Sequence, residues 1–134
     1  MTEQSPSPSA GGEVELRVPA SSAYVGVLRS LAAGLAARCD LTLDEIEDLR
    51  IAVDEACALL LPLARPGENL TTRFALGEHE LGARVEVAVR ADAELRRDGF
   101  GWTVLEALVS DVSTETGPDS MTIVLTKRRE SADR

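Results

Sequence analysis

Thr42-Leu43-Asp44-Glu45-Ile46-Glu47-Asp48-Leu49-Arg50-Ile51-Ala52-Val53-Asp54-Glu55-Ala56-Cys57-Ala58-Leu59-Leu60 decides how the rest of the chain is read. Thr42 is a helix-capping residue, and Glu45 three positions later completes a capping box, so a helix is predicted to start here. Ile46, Leu49, Val53, Ala56 and Leu60 recur at helical spacing and form its core stripe. Ile51, Ala58 and Leu59 fall on the flank or the far side, where a simple amphipathic helix is polar. That second face calls for a cover: another segment, a ligand or a partner. Pro62 and the run Arg65-Pro66-Gly67 stop the helix.

Upstream, Glu13 to Val18 alternates charged and apolar residues, the period of a half-buried strand, and Pro19 ends it. Ser21 or Ser22 caps a helix running to about Arg38, with Val25, Leu28, Leu31 and Leu35 along one face. Asp40 and Leu41 make the break. Downstream, Leu70 to Leu76 and Arg84 to Val89 read as strands joined by a polar turn from Gly77 to Gly82, the second with Val85, Val87 and Val89 inward. A polar link, Ala91 to Asp98, leads to Gly99-Phe100-Gly101, which opens a third helix ending near Leu108. Asp111 to Glu115 and Met121 to Lys127 then form two strands around a Gly117-Pro118 turn.

The order is strand, two helices, two strands, helix, two strands. Neighbouring strands pair as hairpins with the helices segregated to one face. The expected fold is α+β, a two-layer sandwich with a mostly antiparallel or mixed sheet. One domain is expected over residues 13–128, between a disordered leader at 1–12, rich in Ser, Pro, Gly and Ala, and a flexible tail at 129–134.

Composition narrows the function. A net charge of −9 argues against direct nucleic-acid binding, which needs clustered Lys and Arg; only Lys127-Arg128-Arg129 groups them. The acidic surface suits a basic protein partner or serves solubility, and the sequence does not separate the two. The longest apolar run, around Ala56 to Ala64, is too short to cross a membrane and is interrupted by Pro62. Without the basic start and apolar run of a signal peptide, a cytoplasmic address is expected. Cys39 and Cys57 lack metal-ligand spacing and read as buried thiols. His79 is the only histidine, which leaves neither a histidine metal cluster nor a Ser-His-Asp triad.

Tyr24-Val25-Gly26-Val27-Leu28-Arg29 followed by Asp44 to Cys57, the stretch Gly99-Phe100-Gly101-Trp102-Thr103-Val104-Leu105-Glu106-Ala107-Leu108 and the closing Met121 to Lys127 together resemble the RsbW and SpoIIAB group of anti-sigma factors. The matches span about 13–61 and 99–128, in the family's order. The resemblance implies the fold of histidine-kinase-type ATPases and a protein that holds a sigma factor inactive. Many members phosphorylate a serine on a small STAS-domain antagonist with ATP and magnesium. The unphosphorylated antagonist captures the anti-sigma factor and frees the sigma factor. A homodimer is also implied.

Carried over residue by residue, the resemblance makes Glu55 the acidic residue that aids attack on the γ-phosphate, a role a positioned carboxylate can fill. Asp92 stands where an aspartate would read adenine. Gly99 and Gly101 open a helix N-terminus able to bind an anion, and Thr122 occupies the place of a strand threonine that donates to phosphate. Tyr24 and Arg29, with the acidic run from Asp44 to Asp48, form the expected partner surface. The chain also departs from the pattern. Leu59 stands at the position of the family's magnesium-ligating asparagine, and a leucine offers magnesium no oxygen. The segment Arg90-Ala91-Asp92-Ala93-Glu94-Leu95 lacks the family's turn glycines, and the link to Gly99 is far shorter than the family's ATP lid. The reading is an anti-sigma factor working by partner switching, with a degraded nucleotide site and no metal ligand assigned. The alternatives are a working serine kinase with Glu55 as base, and a STAS-like interaction module. The helical pair directly after the first strand argues against the last.

Overall fold

A computed structural model describes residues 12–130. Residues 1–11 of the expected leader and residues 131–134 of the expected tail lie outside the described residues. The chain runs β1 (Glu13–Pro19), a 3-10 turn (Ser22–Tyr24), α1 (Val25–Arg38), α2 (Leu43–Leu60), a second 3-10 turn (Leu61–Leu63), β2 (Asn69–Gly77), β3 (Glu80–Ala88), α3 (Phe100–Leu108), β4 (Asp111–Thr116) and β5 (Ser120–Arg128). The strands form one sheet in the order β1-β2-β3-β5-β4, and every pairing is antiparallel. This is the expected α+β sandwich.

The side-chain period of two explains the layering. Leu70, Phe74, Leu81, Val85, Val87, Ile123 and Leu125 are buried in the core that the helices share with the sheet. Their strand neighbours Thr71, Arg73, Arg84, Glu86 and Val124 therefore face the other way. On that outer face Arg73 pairs with Glu15 at 3.2 Å and with Glu86 at 3.7 Å. Burying a side chain such as Phe74 stabilises by roughly 1.5–3 kcal/mol, whereas such exposed ion pairs add at most about 1 kcal/mol.

The α1–α2 corner shows how local chemistry sets the helix layer. Asp40 takes φ 65°, the Leu41 N–H donates to the Ala36 carbonyl and the Asp40 N–H to that of Ala37. That is a Schellman stop, with Asp in the left-handed position usually given to Gly. Thr42 then starts α2 with the expected capping box: its hydroxyl accepts from the Glu45 N–H at 3.2 Å, and Glu45 accepts from the Thr42 N–H at 2.8 Å. The second oxygen of Glu45 accepts from the Glu130 N–H at 2.8 Å, and Arg129 donates to the Asp40 carbonyl at 3.1 Å. Residues 129 and 130, read as the start of a tail, thus tie the sheet to the foot of α2.

Two boundaries differ from expectation. The turn read as Gly77 to Gly82 is only Glu78-His79, closed by the Gly77–Glu80 pair, with His79 at φ 62°. Gly82 is a strand residue, because pairing to Ala75 on one side and Thr126 on the other outweighs its turn propensity. At the other end, Ser21 caps the 3-10 turn, and α1 begins only at Val25.

Candidate functional site

α2 is the middle helix of its layer, and its two flanks differ. Consecutive residues lie about 100° apart on a helix, so Asp54 and Glu55 leave it toward different neighbours. Asp54 turns to α1, where Arg29 Nη1 donates to both of its oxygens at 3.2 and 3.0 Å. Glu55 turns to α3, as does Leu59. A Cβ placed on Gly101 would overlap the Glu55 Oε2 atom and lie 3.1 Å from Leu59 Cδ2. With Glu55 and Leu59 in these rotamers, only a glycine at 101 leaves room for them. Ile51 and Ala58 point between the flanks and stay exposed, so nothing in the described chain covers that part of the second face.

Three residues singled out in the sequence, Glu55, Leu59 and Gly101, are therefore brought together. Glu55 is half-buried and has no hydrogen-bond partner among the described residues. Gly99 occupies the N-cap of α3 with extended backbone, and its carbonyl accepts from the Thr103 N–H at 3.3 Å. No side chain caps this helix start.

Asp92 and Thr122 are placed elsewhere. Asp92 lies in the turn after β3 with its side chain 87% exposed, 3.6 Å from Arg90. Thr122 is paired in register with Glu86 and Glu115 and lies between Met121 and Ile123, so it faces the outer side of the sheet, away from Glu55. The inward residue at that level of β5 is Met121, a neighbour the sequence reading did not weigh.

Of the expected partner residues, Tyr24 is 41% exposed at the end of the 3-10 turn before α1, and Asp44 is exposed in the first turn of α2. Asp48 is engaged within the chain. It lies 3.3 Å from Lys127 Nζ, which also donates to the Leu108 carbonyl at 2.7 Å, so the buried ammonium closes the C-terminus of α3. The sequence reading missed Asp54 as a partner of Arg29, because 25 positions separate the two and no local spacing links them.

Between α1 and α2, beside the ion pair, lies a groove of about 330 Å3 floored by Val25, Cys57, Ala58 and Leu61. Burial, with the nearby Asp54 charge, pushes the Cys57 thiol up to about 12. It stays protonated and is no nucleophile. Burial also raises the Cys39 thiol. Both cysteines are buried, as expected. Among the described residues, no three His, Cys, Asp or Glu side chains converge as a metal cluster, and no helix is long and apolar enough to cross a membrane.

A five-stranded antiparallel sheet with three helices on one face, and an acidic residue on the middle helix facing a glycine-opened helix start, define a class. The chain belongs to the histidine kinase-like ATPase domain family, whose model matches residues 18–127. Within it, the chain is similar to the RsbW proteins. It is 31% identical to the serine-protein kinase RsbW of Bacillus velezensis over 85% of this chain and 84% of that one. It is 32% identical to the anti-sigma-F factor RsbW of Mycobacterium tuberculosis over 90% and 76% respectively. The fold matches the crystal structure of the RsbU and RsbW domains of Rv1364c from Mycobacterium tuberculosis with a TM-score of 0.69 at 18% identity, covering 87% of this chain and 32% of that chain.

Proposed function

We propose that this protein is an anti-sigma factor that holds a sigma factor and releases it to a STAS-domain anti-anti-sigma partner, without a nucleotide-driven step. The name of its relative in Mycobacterium tuberculosis, anti-sigma-F factor RsbW, supports the anti-sigma half of this reading. The single observation that carries the other half is the seat of α3 on α2. Gly101 lies against Glu55 and Leu59, so the side chain at the magnesium-ligand position is a hydrocarbon packed on a helix backbone. Magnesium needs oxygen donors in octahedral array, and Leu59 supplies none. Asp92 faces solvent and Thr122 faces the outer side of the sheet, so neither converges with Glu55. These residues do not fit a magnesium–nucleotide complex.

A second reading has an observation of its own. The half-buried, unpartnered Glu55 carboxylate is the group a serine kinase needs as base, and several relatives are named serine-protein kinases. One experiment separates the two: titrate the protein with its sigma factor with and without millimolar ATP and magnesium, then add the STAS partner and follow phosphate transfer. Sigma binding unaffected by nucleotide, release on adding the STAS protein and no phosphoserine is the expected result. Phosphoserine that disappears in Glu55→Ala while sigma binding persists would establish the kinase.

A further inference from the structure

The link that the sequence marks only as polar is fastened down. Ala93 and Leu95 pack against the core. Arg97 then places its guanidinium 5.5 Å from the ring centre of Trp102, and its Nη1 donates to Thr114 Oγ1 at 3.0 Å. Trp102 is only 6% exposed, and its indole N–H donates to the Glu106 carboxylate at 3.2 Å, so the ring under Arg97 is itself held. One side chain therefore bridges the link, α3 and the edge strand β4. Beneath the link lies a cavity of about 430 Å3 lined by Ala93, Leu95, Arg97, Thr114, Thr116 and Met121.

Gly101, the residue seated on Glu55 and Leu59, lies four positions after Arg97. We propose that Arg97 is a clasp whose closed state both holds residues 93–97 over this cavity and seats the first turn of α3 on Glu55, a contact that closes off that carboxylate and that opening releases. The clasp is built to open. A cation over a ring and one hydrogen bond to a threonine are weak contacts, and no carboxylate pairs with Arg97 among the described residues. A Cβ added at Gly99 would meet nothing within 4 Å and α3 has no side-chain cap, so there is room beside Gly99 for the chain between clasp and seat to move, against two 3.3 Å bonds from Thr103 to the Gly99 carbonyl. The inference stands apart from the sigma-factor reading, since it concerns only the link, α3 and access to Glu55.

Trp102, the only tryptophan, is its own reporter. The test is acrylamide quenching of Trp102 together with carbodiimide-driven coupling of glycinamide to Glu55, followed by peptide mass. Losing contacts of this strength shifts a closed–open equilibrium by roughly five- to tenfold, so Arg97→Ala is expected to speed Glu55 labelling by about that factor and to raise quenching. Arg97→Lys keeps the charge but loses the flat fork, and should fall between. Unchanged quenching and labelling in a variant with the wild-type melting curve overturns the proposal. Raised quenching with unchanged labelling also overturns it, because link and α3 would then be uncoupled. If Arg97→Ala lowers the melt, Thr114→Val decides: faster labelling at an unchanged melt supports the clasp, and unchanged labelling removes it.

Discussion

The two flanks of α2 carry neighbouring carboxylates and treat them in opposite ways. Toward α1, Asp54 meets Arg29 across an open groove, with both side chains more than a third exposed. Toward α3, Glu55 meets a glycine backbone and a leucine, with no cation and no donor among the described residues. The first arrangement can exchange one partner for another at little cost. The second is steric, and it yields only if the ends of Glu55 and Leu59 turn aside or α3 moves.

The steric flank gives the largest effect. Gly101→Val puts a branched side chain where the Glu55 carboxylate and the end of Leu59 now lie, a bulk beyond what turning those two flexible ends aside makes room for, and overpacking of this kind costs about 1–3 kcal/mol. Thermal denaturation should show that loss, and Glu55→Ala in the same background should return part of it, as a double-mutant cycle. A valine variant as stable as the parent would break the comparison, since α3 would then ride clear of α2.

The foot of α2 gives an intermediate effect with a pH signature. Burial pushes the Glu45 carboxyl up, but the Glu130 and Thr42 N–H donors, helped by the Thr42 hydroxyl and the Lys127 charge, outweigh it and leave the group below the usual carboxylate range. A lowered folded-state value means that the unfolded chain takes up the proton first as pH falls. The stabilisation is therefore complete at neutral pH and is lost as pH drops through the folded-state value. Glu45→Gln should cost about 1–2 kcal/mol at pH 7, by loss of charge-assisted bonds. That gap should close as pH falls through the folded-state value, where the parent carboxyl also takes up its proton. Urea titrations stepped down from pH 7 through the acid range check both halves. A gap that shows no narrowing at any acid pH would show that the amide is failing for reasons of shape.

How much of this was legible in sequence depended on whether the signal was local. The Thr42–Glu45 box, the core stripe of α2 and the alternation of β3 are short-range patterns, and the structure reproduces them. Gly82 was misread because its flanking strand partners lie seven and forty-four positions away. In the site, the sequence supplied Glu55, Leu59 and the Gly99-Phe100-Gly101 start, but only the packing of α3 on α2 shows that they touch. Thr122 and Met121 differ by one position, and strand alternation sends them to opposite faces, so an offset of one residue decides which of them faces the core. The Arg97–Trp102–Thr114 contact was hidden because its members come from a link, a helix and a strand.

The smallest effect on stability belongs to the open flank, and it is the one that bears most on function. Arg29→Ala or Asp54→Ala should change stability by no more than about 1 kcal/mol, because a pair this exposed is screened by water and salt. Raising ionic strength to about 1 M shrinks the Debye length to ~3 Å and should erase even that difference. The same substitutions should nevertheless weaken sigma-factor binding by about tenfold or more, as loss of an interface arginine commonly does. Arg29 uses only Nη1 on Asp54, so among the described residues the guanidinium keeps its Nη2 and Nε donors to offer. Equal losses of stability and of binding would make the pair a structural strut and remove the contrast between the flanks. A binding loss many times the stability loss would make Asp54 the internal stand-in that holds Arg29 ready until a partner takes its place.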